Sequence, residues 1–162
     1  MKNIFLFLTF IVLFTGCSQK NAFSAFDMDK TKELSASSLQ SSKIVSQNAD
    51  VRGVFSAIYL NEVYPETFNE HEYFFIFIYL KEAKELHNAK DNIESDLKLT
   101  LNSKSPLKIK KLPKQNQFSH LIETTNNWSE YYMVAFEMTD KLNLSLKEEQ
   151  SSSTATLKYK KE

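Results

Sequence analysis

The segment that most constrains this fold is Tyr73 to Leu80, the longest apolar run outside the N-terminus. Apart from the final leucine, its residues are aromatic or β-branched, and such residues favour a strand over a helix. Both alternating faces of this strand are apolar, so it needs cover on both sides. We therefore predict that it is a central strand, covered by the other strand-like segments of the chain.

Shorter segments in which apolar and polar residues alternate follow at regular spacing, separated by turn-forming residues. About seven or eight short strands with this spacing predict an all-β fold, and within that class a β-sandwich. The predicted strands are Ile44 to Asn48 and Val51 to Val63 (one or two strands, with a bulge or bend at Gly53), Tyr73 to Leu80, Leu97 to Leu101, Leu107 to Lys110, Phe118 to Thr124, Tyr131 to Met138, Leu142 to Leu146 and Ala155 to Tyr159.

Composition limits the number of domains and the classes of function. With 162 residues, 42% of them hydrophobic, the chain can build one core and hardly two, so we expect one domain. Its 20 basic and 20 acidic residues cancel, and no overall field points to nucleic acid as a partner. Gly16 and Gly53 are the only glycines, which excludes glycine-rich phosphate-binding loops.

The N-terminus has the pattern of a secretory signal peptide over residues 1–16. A short positive region precedes an apolar run from Ile4 to Phe14, which is too short to span a membrane because spanning takes about 20 apolar residues. The segment Leu13 to Cys17 resembles the lipobox of bacterial lipoproteins, in which the cysteine is acylated and becomes the mature N-terminus. This resemblance implies lipidation of Cys17, and the Ser18 that follows implies the outer membrane.

Residues 17–42 are predicted to be a lipid-anchored tether, and residues 43–162 the β-sandwich domain. The tether is rich in serine and can hardly form a core alone. Ala22 to Met28 could form a first edge strand, or Leu34 and Leu39 could lie on a short helix after Asp29. For the charged segment Lys81 to Asp96, a short helix and an extended strand with a loop are both compatible with the pattern.

Several motifs together resemble those of small lipoproteins of Campylobacter and related bacteria. Besides the lipobox, they are Leu97 to Ile109 (Leu-x-Leu-x-Leu-Asn, then Ser-Pro-Leu-x-Ile), Trp128 to Phe136 (Trp-Ser-x-Tyr-Tyr-x-Val-x-Phe) and the final Ala-Thr-Leu-Lys-Tyr strand. The resemblance implies a variant immunoglobulin-like fold for the sandwich. It carries over no functional residue.

The sequence offers no catalytic or metal site that can be assembled from its motifs. His71-Glu72 begins like a zinc-protease motif, but Phe75 stands where the second histidine is needed. His87 and His120 are isolated in the sequence, and no nucleophile elbow occurs. We therefore predict no enzyme, no metal and no cofactor.

Two surface features remain as candidates for contact. A basic stretch without acidic residues could contact anionic lipid headgroups or an acidic polymer, or its lysines could protect an exposed strand edge, which is the interpretation that we favour. The aromatic residues near Trp128, Tyr131 and Tyr132 could line a ligand pocket or a protein contact, although most should be core. The stretch comprises Lys98, Lys104, Lys108, Lys110, Lys111 and Lys114.

These features predict a membrane-anchored lipoprotein of the cell envelope with a non-enzymatic protein- or surface-interaction domain. The expected partners are the membrane, through the N-terminal lipid, and an envelope or extracellular protein. The alternative is a carrier or sensor that binds a small apolar or anionic ligand between its sheets.

Overall fold

The computed structural model describes residues 29–82, 84–87 and 96–161. They form eight strands, two helices and one turn of 3-10 helix. In chain order these are α1 (Lys30–Ser38), β1 (Leu39–Val45), β2 (Val51–Tyr59), α2 (Leu60–Val63), β3 (Glu72–Leu80), β4 (Leu97–Leu101), β5 (Lys108–Leu112), the 3-10 turn (Ser119–Leu121), β6 (Ser129–Phe136), β7 (Leu142–Glu148) and β8 (Ser153–Tyr159).

The prediction of an all-β fold is confirmed. All strand pairs are antiparallel, and the strand order is β4-β7-β8-β1-β2-β3-β6-β5. The two separate sheets of an immunoglobulin-like sandwich are not confirmed, because the eight strands belong to one continuous sheet. β3 lies inside this sheet between β2 and β6, as its two apolar faces require.

The sheet is curled, and the connection between its two edge strands explains why. In a flat sheet of eight strands, β4 and β5 would lie roughly 34 Å apart. The link between Leu101 and Lys108 can span at most about 25 Å. The edges must therefore approach each other, and the sheet folds over a core to which residues of both halves contribute, among them Phe74 and Tyr159, whose ring centroids are 5.5 Å apart.

A second, smaller core covers part of the outer face of β2, β3 and β6. Phe75 of β3 and Tyr131 of β6 pack there with residues of α2 and the 3-10 turn. Two predicted strands are corrected here. The segment Val51 to Val63 leaves the sheet after Tyr59 and continues as α2, and Phe118 to Thr124 contains the 3-10 turn instead of a strand. Both segments cover the sheet, so their apolar residues are buried without strand pairing.

The folded part begins before residue 43, which was the predicted domain start. α1 is capped by Asp29, whose carboxylate oxygen accepts a hydrogen bond from the Thr31 amide at 3.0 Å. This agrees with the helical alternative for Leu34, while Leu39 is the first residue of β1. The boundary between residues 42 and 43 falls inside β1, which is an interior strand of the sheet.

The signal peptide, Cys17, residues 18–28 and most of the charged segment after Lys81 lie outside the described residues. In the part that the structure describes, no helix is both long and apolar enough to cross a membrane.

A buried carboxylate lies at each end of the curled sheet. At the Glu72 end, the Glu72 side chain is 0% exposed and accepts hydrogen bonds from the Tyr59 hydroxyl (2.6 Å) and the Thr139 amide (2.9 Å). Lys161, beyond the last strand, forms an ion pair with it. Burial and the Glu72 carboxylate raise the pKa of Tyr59 above its ordinary value, so this phenol stays a hydrogen-bond donor.

At the Glu148 end, the Glu148 side chain is 1% exposed and forms an ion pair with Lys84 at 2.7 Å. Arg52 lies 3.8 Å away, and the Ser151 hydroxyl also donates to the carboxylate. Burial alone would raise the pKa of this carboxyl, but the hydrogen bonds from Lys84 and Ser151 and the two positive charges outweigh burial and lower it. Glu148 is therefore a buried anion.

Candidate interaction surface

Four apolar side chains lie close together on the outer face of the sheet, at the Glu148 end. The strand register aligns Val54 of β2 with Tyr79 of β3, and Tyr79 with Ser129 of β6. Phe77 lies two residues before Tyr79 on β3 and therefore on the same face. Trp128 immediately precedes β6. We call these residues, Val54, Phe77, Tyr79 and Trp128, the Trp128 surface.

The Trp128 surface continues the smaller core along the outer face of the sheet, past the part that α2 and the 3-10 turn region cover. Phe75 on the same face of β3 is buried by the 3-10 turn region, whereas Tyr79 is 40% and Val54 37% exposed. Trp128, the only tryptophan of the chain, is 77% exposed. Large apolar side chains grouped on a surface commonly mark a contact site, whereas a single one needs no explanation.

A hydrogen-bonded turn fixes the backbone at Trp128. The Asn126 side-chain oxygen accepts hydrogen bonds from the amides of Trp128 (3.0 Å) and Ser129 (2.7 Å). The hydroxyl of buried Tyr131 accepts from the Asn126 amide at 3.0 Å. Because the turn is fixed by a local side chain and by the core, the indole is presented with little backbone entropy left to lose on binding.

Two hollows adjoin the indole. The larger, of about 330 Å³, is bounded by all four residues of the Trp128 surface together with Ser56, Asn126 and Ser129. The second, of about 240 Å³, lies between Trp128, Lys81 and Glu130. Hollows of this size beside an exposed aromatic ring can accept apolar side chains of a partner, and the polar groups that line them can orient it.

Some of the charged side chains around the Trp128 surface form ion pairs, and others do not. Glu130 forms an ion pair with Lys111 at 2.9 Å, and Glu82 forms one with Arg52 at 2.9 Å. Lys81 and also Lys43, which stands directly opposite Val54 on β1, are exposed and form no ion pair with the described residues. Arg52 and Lys111 each also pair with a second carboxylate, Glu148 and Glu85, so the two lysines give this region no excess of positive charge.

Four of the six lysines of the predicted basic stretch lie on the two edge strands of the curled sheet. Lys98 is on β4 and Lys108, Lys110 and Lys111 are on β5, and these strands are the two ends of the strand order. Hydrogen bonds with Glu85 and Glu130 raise the pKa of Lys111.

Lys104 and Lys114, the two lysines of the stretch that lie outside β4 and β5, have polar partners. Lys104 forms an ion pair with Glu137, and Lys114 donates to the Asn127 carbonyl oxygen at 2.7 Å, beside the turn that carries Trp128.

The three histidines lie in different surroundings. The His120 ring nitrogen is 2.7 Å from the Tyr64 hydroxyl, and the His71 ring packs 5.8 Å from that of Tyr73. Among residues 29–82, 84–87 and 96–161, no three histidine, cysteine, aspartate or glutamate side chains are grouped so that they could hold a metal ion.

The sequence singled out Trp128, Tyr131 and Tyr132 but did not show which of them are buried and which is exposed. Tyr131 and Tyr132 are buried, as expected for core, whereas Trp128 is not. A signal was available, since Trp128 directly follows the predicted Asn126-Asn127 turn, where a side chain is less often covered. No protein-family model, curated protein or solved structure matched this chain in any of the three comparisons.

Proposed function

We propose that this chain is a lipid-anchored protein of the bacterial cell envelope, related to the small lipoproteins that its motifs resemble, and that it acts by contact instead of catalysis. The anchor is Cys17, and the contact site is the Trp128 surface. The observation that carries the proposal is the group of exposed apolar side chains around an indole held by a hydrogen-bonded turn. Tryptophan and tyrosine side chains that a partner can bury are enriched in binding hot spots.

The alternative, a carrier for a small ligand between the two halves of the sheet, receives less support. The space between the halves contains buried side chains such as Phe74, Ile76 and Leu144, all 0% exposed. A ligand there would have to displace close-packed residues, whereas the Trp128 surface is accessible without rearrangement.

The anchor is tested by intact-mass analysis of membrane fractions from cells that make the wild-type chain or Cys17→Ser. We expect the wild-type protein to begin at an acylated Cys17 in the outer-membrane fraction and the variant to be released, because several acyl chains are needed for stable anchoring. A native N-terminus at Met1, or one beyond Cys17 without lipid, contradicts the anchor.

The contact site is tested by photo-crosslinking in cells. A photoreactive phenylalanine analogue replaces Tyr79 in one strain and Thr156 in another, since Thr156 is an exposed residue on the β8 strand of the other half of the sheet. We expect discrete adducts from position 79 and background labelling from position 156. Equal labelling at the two positions contradicts the assignment of the Trp128 surface.

A further inference from the structure

The curled sheet is joined far more weakly between β1 and β8 than between its other strands. These two strands share one register pair, Val45 with Thr154, whereas every other pair of neighbouring strands shares five or more. We propose that β8 and the residues after it form a latch, which opens at the Glu72 end of the sheet while the Val45–Thr154 pair acts as its hinge. This inference concerns the core between the two halves of the sheet and does not depend on the proposed contact site.

The side chain of Gln40 on β1 takes the place of a strand pair with β8. Its amide nitrogen donates to the Lys158 carbonyl oxygen at 2.5 Å, and its amide oxygen accepts from the Lys158 backbone amide at 3.0 Å. These are the two backbone groups that a residue of a neighbouring strand would bind. A side chain can leave them by rotating about its own bonds, whereas a ladder of backbone hydrogen bonds breaks only when the strand itself moves.

Two further side chains fasten the end of β8 to the other half of the sheet. The Tyr159 hydroxyl donates to the Ala57 carbonyl oxygen on β2, and the Lys161 ammonium forms its ion pair with Glu72 on β3. Among the described residues, each polar contact between residues 158–161 and strands β1, β2 and β3 thus involves a side chain. The polar part of the closure at this end can therefore be released without breaking any strand ladder.

Aromatic packing under the latch determines what its opening uncovers. The centroid of the Tyr159 ring lies 5.5 Å from that of Phe74 and 6.0 Å from that of Tyr59, and all three rings are buried. Exposure of these rings costs free energy, so the closed form is the major one. At the opposite end, the Glu148 carboxylate ties β7 to Arg52 on β2, and we expect that end to part only on global unfolding.

Two alanines of the same core give matched positions for a thiol probe. Ala57 stands opposite Gln40 near the latch, and Ala155 follows the hinge residue Thr154; they are 0% and 4% exposed. Ala57→Cys and Ala155→Cys are made separately in the full-length Cys17→Ser chain, which has no other cysteine. The rate of modification by a thiol reagent is measured against urea concentration, because partial opening exposes less surface and depends less on urea than global unfolding.

Without urea, we expect the thiol of Ala57→Cys to react at least about tenfold faster than that of Ala155→Cys, and the two rates to converge as global unfolding takes over. Adding Gln40→Leu should accelerate the reaction about tenfold at position 57 and less than about twofold at position 155, since it removes two hydrogen bonds of the latch. The control is Ser145→Ala, which removes a hydroxyl contact with Thr156 inside the β7–β8 pair and should leave both rates within about twofold.

Equal rates at the two positions, both with the urea dependence of global unfolding, overturn the latch. Equal acceleration at both positions by Gln40→Leu also overturns it, because Gln40 would then stabilise the whole domain and not one end. A faster reaction at position 155 than at position 57 places the opening at the Glu148 end, against the assignment of hinge and latch. Photo-crosslinking from position 79 is a separate measurement, so the latch and the contact site can fail independently.

Discussion

At the residue scale, the buried anion Glu148 depends on its neighbours for its charge. Its carboxylate joins β7 to Lys84, in the segment after β3, and to Arg52 at the start of β2. Replacing one member of a buried ion pair leaves the other charge without compensation, which costs more than the pair contributes. The stability of this end of the sheet should therefore depend on one carboxylate.

We expect Glu148→Gln to lower the free energy of unfolding by about 2–3 kcal/mol at pH 7, since Lys84 keeps a second carboxylate, Asp96, at 3.5 Å. The measurement is urea denaturation, and the control is Glu149→Gln, which removes an exposed charge from the adjacent residue. A loss as small as that of the control would show that the ion pair is not stabilising.

The Glu148→Gln variant also tests how the free energy of unfolding depends on pH. Because the pKa of Glu148 is lowered in the folded state, its contribution to stability is complete above the ordinary glutamate pKa of about 4.3 and is lost as the pH falls through the folded-state value. We expect the wild-type chain to lose stability in acid more steeply than Glu148→Gln. Parallel curves of unfolding free energy against pH would contradict this.

At the element scale, the approach of β2 and β3 depends on Gly53. A Cβ atom at this position would lie 2.1 Å from the Tyr79 carbonyl oxygen, which belongs to the backbone and cannot move aside without displacing β3. The bulge predicted at this glycine lies directly beside it, because Ile44 pairs with Gly53 and Val45 with Val51, which leaves Arg52 as the extra residue of β2. Gly53 is required by close approach of the backbone, and its φ is not positive.

We therefore expect Gly53→Ala to destabilise the domain by at least about 1–3 kcal/mol, the usual cost of overpacking a well-packed site. Thermal unfolding of the variant is compared with that of Ser42→Ala, a change to the same residue on the neighbouring strand β1 without such a close approach. Wild-type stability of Gly53→Ala would show that the two strands can separate at little cost.

Much of the element pattern could be predicted from the sequence, and the failures have a physical cause. Alternation identified β4, β7 and β8 because one face of each strand is buried and the other is solvated. It failed for α2 and the 3-10 turn, because apolar residues in short covering segments are buried in the same proportion as those of a strand. Periodicity over three or four residues cannot separate these cases.

At the scale of the whole molecule, the strand order could not be predicted. The pairs β1–β2, β2–β3, β5–β6 and β7–β8 join sequence neighbours, but β3–β6, β4–β7 and β1–β8 do not. Alternation states which face of a strand is buried and not which strand lies beside it. The Trp128 surface arises from two such facts, the β3–β6 pairing and the end of cover over Tyr79, so its position could not be predicted either.

The two buried carboxylates test whether the curled sheet unfolds as one unit. Glu72 and Glu148 lie at opposite ends of strands that are roughly 25 Å long, and they share no partner. We expect the losses of unfolding free energy in Glu72→Gln and Glu148→Gln to add within about 0.5 kcal/mol in the double variant, with a single transition in urea. Two separate transitions would show that the ends unfold independently.

At the Glu72 end, the Ser38 hydroxyl at the end of α1 donates to the Tyr59 carbonyl oxygen, so with the proposed anchor the domain would be a spacer between that anchor and the Trp128 surface. The twelve residues from Cys17 to Met28 span at most about 40 Å when extended, and the strands add roughly 25 Å. With the proposed anchor, Trp128 could thus search a shell up to about 65 Å above the bilayer. A partner confined to the same layer would be met at a raised local concentration, so a weak interaction would suffice for occupancy there and would be lost on release from the membrane.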